Sequence, residues 1–248
     1  RIIGSEESHC DENSRRLLNY QVGTLYQGKG THYIDLYVGS PNPQRQTVIV
    51  DTGSSTTAFP CEGCTSCGEG YHDNRYFEQH KSVTYEEFNC NECQNGMCQN
   101  KYDVCNLRMS YQEGSSWSAN ESRDLVSIGS PDQENSKQFS LIFGCQTSIT
   151  GLFKTQLADR ILGMDYDRTA LWRQMYDSKV IDSPTFSLCF THQLDYKLEA
   201  GTMTIGTTIP ELHKYPIVYA EIEEGNHMFS IHLRKIYLYS EGGIESVE

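Results

Sequence analysis

The chain lacks any long apolar run. No stretch of its 248 residues approaches the roughly 18 consecutive apolar residues of a membrane-spanning helix. The first residues, Arg1 to Glu7, also lack the apolar segment of a signal peptide. We therefore expect no membrane contact within this chain, while a signal removed earlier and an anchor after Glu248 both stay open.

Clusters of positive charge are missing as well. The formal net charge is −13, and the 20 lysines and arginines are scattered along the chain. This excludes the basic patches with which proteins bind nucleic acid or an anionic membrane surface. The acidic surface is either simply solvated or suited to an acidic compartment, in which protonation of carboxylates relieves self-repulsion, and charge alone does not decide between the two.

Helical periodicity is nearly absent. Only residues 169–177 place apolar side chains, Leu171, Trp172 and Met175, on one helix face. The 16 tyrosines, 20 glycines and only 7 prolines favour short strands joined by turns, so the predicted fold class is mostly β. The predicted strands are 31–38, 47–50, 103–111, 125–128, 139–143, 185–190, 201–205 and 227–239.

Cysteine, by contrast, is abundant. Eight of the ten cysteines lie from Cys61 to Cys145, which favours an oxidising compartment of the secretory pathway. Ten cysteines suffice for five disulfide bonds, but pairs two residues apart also suit a tetrahedral zinc ion. The sequon at Asn120 is a candidate glycosylation site that fits the same route. The disulfide candidates are Cys61, Cys64, Cys67, Cys90, Cys93, Cys98, Cys105 and Cys145.

The strongest chemical signal is an aspartate directly after a core strand. The apolar run 47–50 is typical of a strand buried on both faces, and it stops at Asp51-Thr52-Gly53-Ser54. Such a carboxylate is partly desolvated, Gly53 lets backbone approach closely, and the hydroxyls of Thr52 and Ser54 can hold the carboxylate. Acid hydrolysis needs two such carboxylates sharing one proton, so Asp51 alone is half of a catalytic dyad.

Four landmarks follow one another in the order found in a known family. They are Val48-Ile49-Val50-Asp51-Thr52-Gly53-Ser54-Ser55, Ser110-Tyr111-Gln112-Glu113-Gly114-Ser115-Ser116, Ile142-Phe143-Gly144-Cys145 and Asp159-Arg160-Ile161-Leu162-Gly163-Met164. In this the sequence resembles the pepsin-like aspartic proteases, which hydrolyse polypeptides with water and use no metal or organic cofactor. The landmarks then correspond to a catalytic loop, a flap hairpin, a core strand and a loop that crosses behind the aspartate.

The resemblance implies a role for each residue at the centre of the site. Asp51 would be one member of the dyad, with Ser54 hydrogen-bonded to its outer oxygen. Thr52 would tie this loop, which includes Gly53, to the matching loop of a second lobe.

The flap residues receive roles in the same way. Tyr111 would close over the substrate, and Gly114 and Ser115 would present flap groups to the substrate backbone. The cysteine block is similar to that of the nepenthesin-type and plasmepsin V-like branch, which implies disulfides, including a bond from Cys61 to Cys145. That branch also implies that Glu113 holds a basic side chain, so we expect a preference for arginine on the non-prime side of the substrate.

No second Asp-Thr-Gly or Asp-Ser-Gly follows Phe190. We therefore predict an amino-terminal lobe over residues 1–190, with a disulfide-rich insertion at 61–105, and an incomplete start of the carboxy-terminal lobe at 191–248. The expected enzyme is an aspartic endopeptidase, monomeric when complete, and inactive as this segment. Two alternatives stay open: pairing with a second copy of the chain, and a non-catalytic relative that binds or inhibits a partner through its cleft.

Overall fold

The computed structural model describes residues 19–247 except 69, 133–135, 159, 192, 210–212, 224, 226 and 241–242. Strands dominate this part of the chain, which confirms the mostly β fold. The strands are β1 Gln21–Gln27, β2 His32–Val38, β3 Gln44–Asp51, β4 Ala58–Thr65, β5 Glu86–Glu87, β6 Met97–Gln99, β7 Val104–Ser110, β8 Ser116–Ile128, β9 Phe139–Thr150, β10 Arg160–Gly163, β11 Phe186–Phe190, β12 Glu199–Ile205, β13 Ile236–Ser240 and β14 Gly243–Val247. The helices are α1 Leu171–Asp177 and two short 3-10 helices, η1 Gln79–Lys81 and η2 Gly151–Lys154.

The first twelve strands form one sheet in the order β11-β12-β1-β2-β3-β10-β4-β9-β8-β7-β6, with β5 beside β8. β2 also pairs with β8, so the sheet folds back on itself. β10 lies between β3 and β4 and runs parallel to β3, with Gly163 opposite Asp51. The topology therefore brings residues far apart in sequence to the end of β3.

Apolar side chains from both sides of this curved sheet form the main core. It includes Val48 of β3, Phe59 of β4, Phe143 of β9 and Leu162 of β10, all fully buried. Trp172 and Met175 of α1 close one end of this core, as their helical spacing predicts. Val48 in this core and Val50 packed against it anchor the loop that follows β3.

The predicted strand at 125–128 is only the end of a much longer one. β8 begins at Ser116, because Trp117, Ala119 and Glu121 turn inward while the residues between them stay partly exposed. The alternation was masked in the sequence by small polar residues and by one buried carboxylate. Six strands were not predicted at all: β1, β4, β5, β6, β10 and β14.

The predicted strand at 227–239 is wrong over most of its length. Only Ile236–Ser240 is a strand, and it pairs with Gly243–Val247. Residues 227–230 instead contact the rest of the chain at isolated points: among these contacts, the carbonyl of His227 accepts from the N–H of Tyr166, and Phe229 packs on Tyr166 and Phe186. No described strand lies beside 227–235 to supply the hydrogen-bonded ladder that a β-strand needs.

The predicted domain limits fall inside one strand of the sheet and between two strands that pair with each other. The stretch 61–105 starts inside β4, so its first residues belong to the central sheet and not to a separate loop. The division at residue 190 separates β11 from β12, although every residue of β11 pairs with β12. The division into two lobes stays a prediction.

Candidate active site

Asp51 is the last residue of β3 and is held mainly by backbone groups. Its carbonyl accepts a hydrogen bond from the N–H of Met164 at 2.9 Å, and its Oδ1 accepts one from the N–H of Gly53 at 2.9 Å. A Cβ on Gly163 would lie 2.1 Å from the carbonyl oxygen of Ser55, so only glycine allows β10 to pass this close. The segment that crosses behind the site therefore fixes the backbone of Asp51, while the N–H of Gly53 orients its carboxylate.

The side chains of the loop behave differently from what the resemblance implies. Ser54 is buried, but its hydroxyl does not hydrogen-bond Asp51 and has no partner at hydrogen-bonding geometry among the described residues. Gly53 donates to Asp51 in its place. Thr52 and Gly53 are exposed, so the role of Thr52 as a tie to a second lobe stays a prediction.

The flap is the hairpin of β7 and β8, with Tyr111 at its tip. The N–H of Tyr111 donates to the carbonyl of Ser115, and Gly114 closes the turn with a φ of 93°, a conformation that favours glycine. The Tyr111 hydroxyl accepts from the indole N–H of Trp117 at 3.2 Å, and its ring packs edge-on against Phe153. Tyr111 is thus fixed on two sides.

The surroundings of Tyr111 also change its acidity. Burial raises the pKa of Tyr111 to about 12, and the negative charges of Asp51 and Glu113 act in the same direction. The indole N–H of Trp117 and the hydroxyl of Ser54 oppose this rise in pKa. Ser54 therefore lies near the phenol, although it forms no hydrogen bond of good geometry. Tyr111 therefore stays a neutral hydroxyl at every physiological pH.

Ser115 points away from the open face of the flap. It is only 1% exposed, and its hydroxyl accepts from the N–H of Leu152 at 2.9 Å. The side chain therefore joins the flap to η2, which contributes Phe153 to the wall beside Tyr111. Presentation of flap backbone to a substrate by Gly114 and Ser115 stays a prediction.

A cleft of about 420 Å³ connects these parts. Asp51, Tyr111 and Glu113 line it together with apolar side chains such as Ile49 and Phe153. Gln156 also lines it, and its Oε1 is buried without a hydrogen-bond partner among the described residues. A larger hollow of about 570 Å³ lies between residues 62 and 78, but neither Asp51 nor the flap reaches it.

Arg160 belongs to the fourth landmark, but the sequence indicated no role for its side chain. The structure shows this side chain buried behind the site, where it donates to Gln146 Oε1 at 2.5 Å and to the carbonyl of Cys67 at 2.7 Å. It also contacts the carbonyl of Phe153 at 3.4 Å. Arg160 therefore ties β10 to β9 and to the cysteine-bearing loop. Trp117 and Gln156 were missed, because neither lies in a recognisable motif.

The eight cysteines between 61 and 145 are paired with one another, so the disulfide alternative is the one the structure shows. Cys61 and Cys145 join β4 to β9, with a Cα–Cα distance of 5.4 Å. Cys189 is exposed and has no disulfide partner among the described residues, and Cys10 lies outside them. The other pairs are Cys64–Cys67, Cys90–Cys98 and Cys93–Cys105.

The sequon lies in the middle of β8. Asn120 Nδ2 donates to Glu87 Oε2 at 2.9 Å, while Ser122 is buried and its hydroxyl pairs with that of Tyr85. A glycan on Asn120 would therefore have to be attached before the chain folds, and its use stays a prediction. In the part of the chain that the structure describes, no helix has the length and apolar character needed to span a membrane.

A carboxylate at the end of a core strand, beneath a tyrosine-bearing hairpin and backed by a parallel crossing strand, defines the pepsin-like aspartic protease class. The fold agrees with that of an aspartic proteinase from Irpex lacteus, with a TM-score of 0.59 at 17% identity over 83% of this chain and 53% of that one. The chain belongs to this class, and specifically to the family described as "Xylanase inhibitor N-terminal", whose model matches residues 32–207.

Two named relatives are similar to this chain in sequence. Aspartic protease 5 of Toxoplasma gondii is 31% identical over 201 residues, or 73% of this chain and 20% of that protein. Plasmepsin V of Plasmodium falciparum is 33% identical over 135 residues, or 53% of this chain and 22% of that protein. The chain thus spans about a fifth of the length of these relatives.

Proposed function

We propose that this chain supplies one half of the catalytic centre of an aspartic endopeptidase that cleaves polypeptides. The observation that carries the proposal is the position of Asp51, which ends a buried strand, is aimed by backbone N–H groups and opens into the flap-covered cleft. The second aspartate would come from residues outside this chain. We expect the complete protein to be a monomer and this segment alone to be inactive.

In the complete centre, two facing carboxylates share one proton because like charges about 3 Å apart cannot both ionise. The ionised partner removes a proton from water, and the protonated partner donates to the carbonyl of the peptide bond. The N–H of Gly53 holds the Asp51 carboxyl in a fixed orientation for this exchange. Tyr111, neutral and packed on Phe153, would close the cleft over the substrate and exclude bulk water.

The proposal is tested with a longer chain that includes the second aspartate. We expect it to cleave denatured protein in a pepstatin-sensitive manner, and we expect Asp51→Asn to abolish cleavage without altering the fold. Asp132→Asn, a change at an exposed aspartate, is the matched control. A correctly folded longer chain with both aspartates but no Asp51-dependent cleavage would favour the alternative of a non-catalytic binding or inhibitor protein.

We also propose that the substrate carries a basic side chain, arginine in particular, on its non-prime side. Glu113 is an exposed carboxylate at the flap rim of the cleft, and Gln156 lines the same cleft, although its Oε1 is buried and has no hydrogen-bond partner among the described residues. The Glu113 carboxylate accepts hydrogen bonds and carries a negative charge, as recognition of a guanidinium requires. Cleavage of a peptide library should favour arginine for the wild type and lose that preference in Glu113→Gln. Indifference to arginine in both proteins would refute this assignment.

The disulfides support a proposal for location. Disulfide bonds form and persist in oxidising compartments, and four of them hold the chain between residues 61 and 145. We therefore place the protein in the secretory pathway or in a compartment that this pathway supplies. Fractionation of cells that express a tagged full-length protein would test this, and recovery of the tagged protein in the cytosolic fraction would contradict it.

A further inference from the structure

Asp165 lies directly behind the catalytic loop, residues 51–55. It is only 3% exposed. Its Oδ2 accepts a hydrogen bond from the hydroxyl of Ser55 at 2.7 Å, and its N–H donates to the carbonyl of Ser54 at 3.1 Å. One residue thus holds two consecutive residues of the loop, by its side chain and by its backbone.

Asp165 is itself held rigidly. Its Oδ1 accepts from the N–H of Asp167 at 3.0 Å, and its carbonyl accepts from the indole N–H of Trp172 at 2.9 Å. Trp172 is buried in the main core. Because the carboxyl group cannot swing away, the position of α1 is transmitted through Asp165 to the catalytic loop.

We propose that Asp165 is a positioning residue for the reaction at Asp51: it fixes the catalytic loop through Ser55, and its protonation reverses the direction of that hydrogen bond. The part that concerns the reaction rests on the proposed function. An ionised carboxylate only accepts hydrogen bonds, so Ser55 must donate to it, whereas a protonated carboxyl can donate to the Ser55 oxygen. Protonation therefore frees the Ser55 hydrogen for another partner.

The charges around Asp165 set where this change occurs. Burial raises the pKa of Asp165 above its ordinary value, and the neighbouring Asp167 carboxylate adds to the rise. The hydrogen bonds from Ser55 and from the Asp167 N–H lower the pKa, as does His227, which pairs with Asp167 at 3.1 Å. The net rise means that Asp165 takes up a proton at a higher pH than an exposed aspartate, so its contribution to stability is full at low pH and declines as it ionises.

Asparagine at this position imitates the protonated form. Its oxygen can accept from the Asp167 N–H while its NH₂ group donates to Ser55, but it cannot ionise. Alanine removes both contacts of the side chain and keeps only the backbone bond to Ser54. The two variants therefore separate loss of the contact from loss of the charge.

The first test uses this chain and needs no activity. Amide hydrogen exchange of residues 52–55 is measured at acidic and neutral pH for the wild type, Asp165→Asn, Asp165→Ala and the control Asp132→Asn. We expect about tenfold faster exchange of the loop in Asp165→Ala, with β9 unchanged, since local opening follows the loss of local contacts. We expect the protection of the loop amides, relative to the unfolded chain at the same pH, to be the same in Asp165→Asn at both pH values as in the wild type at acidic pH. Loop exchange in Asp165→Ala within about twofold of the control would overturn the proposal.

The second test uses the longer chain with both aspartates. Asp165→Ala should lower kcat about 10- to 100-fold with little change in KM, since small misplacement of a reacting group costs this much. Asp165→Asn should keep most of kcat but shift the pH profile of kcat/KM. An active wild type whose kcat and pH profile are unaffected by either variant would overturn the proposal. An inactive wild type would instead count against the proposed function, and the exchange test would still decide whether Asp165 fixes the loop.

Discussion

Replacing Glu121 by glutamine should detach the segment 94–96 from the sheet. Glu121 is fully buried in β8. Its Oε2 accepts from the N–H groups of Gln94 and Gly96, both at 3.0 Å, and its Oε1 accepts from the N–H and the side-chain amide of Asn95 at 2.9 and 3.0 Å. Glutamine offers one acceptor oxygen in place of two, so its NH₂ group must face two of the donors of the segment 94–96.

The size of the effect follows from these contacts. A hydrogen bond to a charged group contributes about 1.5–3 kcal/mol, and a buried donor left unsatisfied costs about 1–3 kcal/mol. Loss of two such bonds would remove about 3–6 kcal/mol, but the segment can open and become hydrated, which limits the loss. The Cys90–Cys98 and Cys93–Cys105 bonds keep the opened segment short. We therefore expect the free energy of unfolding to fall by about 3 kcal/mol, a large share of the about 5–15 kcal/mol of a typical domain.

Denaturant-induced unfolding of the disulfide-intact chain measures this change, and amide exchange at residues 94–96 locates it. Glu121→Gln keeps the sequon at Asn120, so any glycan present is retained. Glu199→Gln, a change at an exposed glutamate of β12, is the control. A loss below about 1 kcal/mol together with unchanged exchange at 94–96 would refute the reasoning.

Three further predictions concern other parts of the fold. Arg160→Met should lower the free energy of unfolding by about 3 kcal/mol in denaturant titrations, because Gln146 and the Cys67 carbonyl lose a buried charged donor. Replacing Cys61 and Cys145 by alanine should lower it by about 4 kcal/mol, since the bond closes a loop with a sequence separation of 84. Burial raises the pKa of Tyr85 from 10.0 to about 12. The stability that this residue contributes should therefore be fully present below pH 10.0 and fall as pH rises towards 12. Tyr85→Phe should make that fall shallower by about 1.4 kcal/mol per pH unit, as measured by unfolding at alkaline pH.

Each of these predictions has an outcome that contradicts it. Equal stability of Arg160→Met and the wild type would mean that the guanidinium contributes no more than apolar packing. A double cysteine variant as stable as the reduced and reoxidised wild type would show that the loop closure carries no energy. An alkaline transition with the same slope in Tyr85→Phe would place the responsible proton on another group.

The centre of the site was predictable because its signal is local. An apolar run that ends in Asp51-Thr52-Gly53 carries both the strand and the group at its end. Groups that act across the fold gave no such signal. Asp165 meets Ser55 across 110 residues, and Arg160 meets Cys67 across 93. Only the topology, with β10 between β3 and β4, brings these side chains together.

The flap shows the same limit on a smaller scale. Tyr111, Glu113 and Gly114 were recognised from their motif, but the inward turn of Ser115 depends on η2, which the sequence did not indicate. The error at 227–239 has a related cause. Alternating apolar side chains indicate a strand only if another strand lies beside it, and periodicity within one segment contains no information about its neighbours.

The thirteen residues of β8 contribute to three different parts of the structure. Its first residues complete the flap, Glu121 in its middle anchors the disulfide-bonded segment, and its last residues, up to Ile128, enter the core. Since side chains on a strand alternate between faces, adding or deleting one residue inside β8 would turn all later side chains to the wrong side. Proteins that descend from this one can therefore differ in the length of the turns at either end of the strand. Within the strand they can differ by substitutions but not by insertions or deletions.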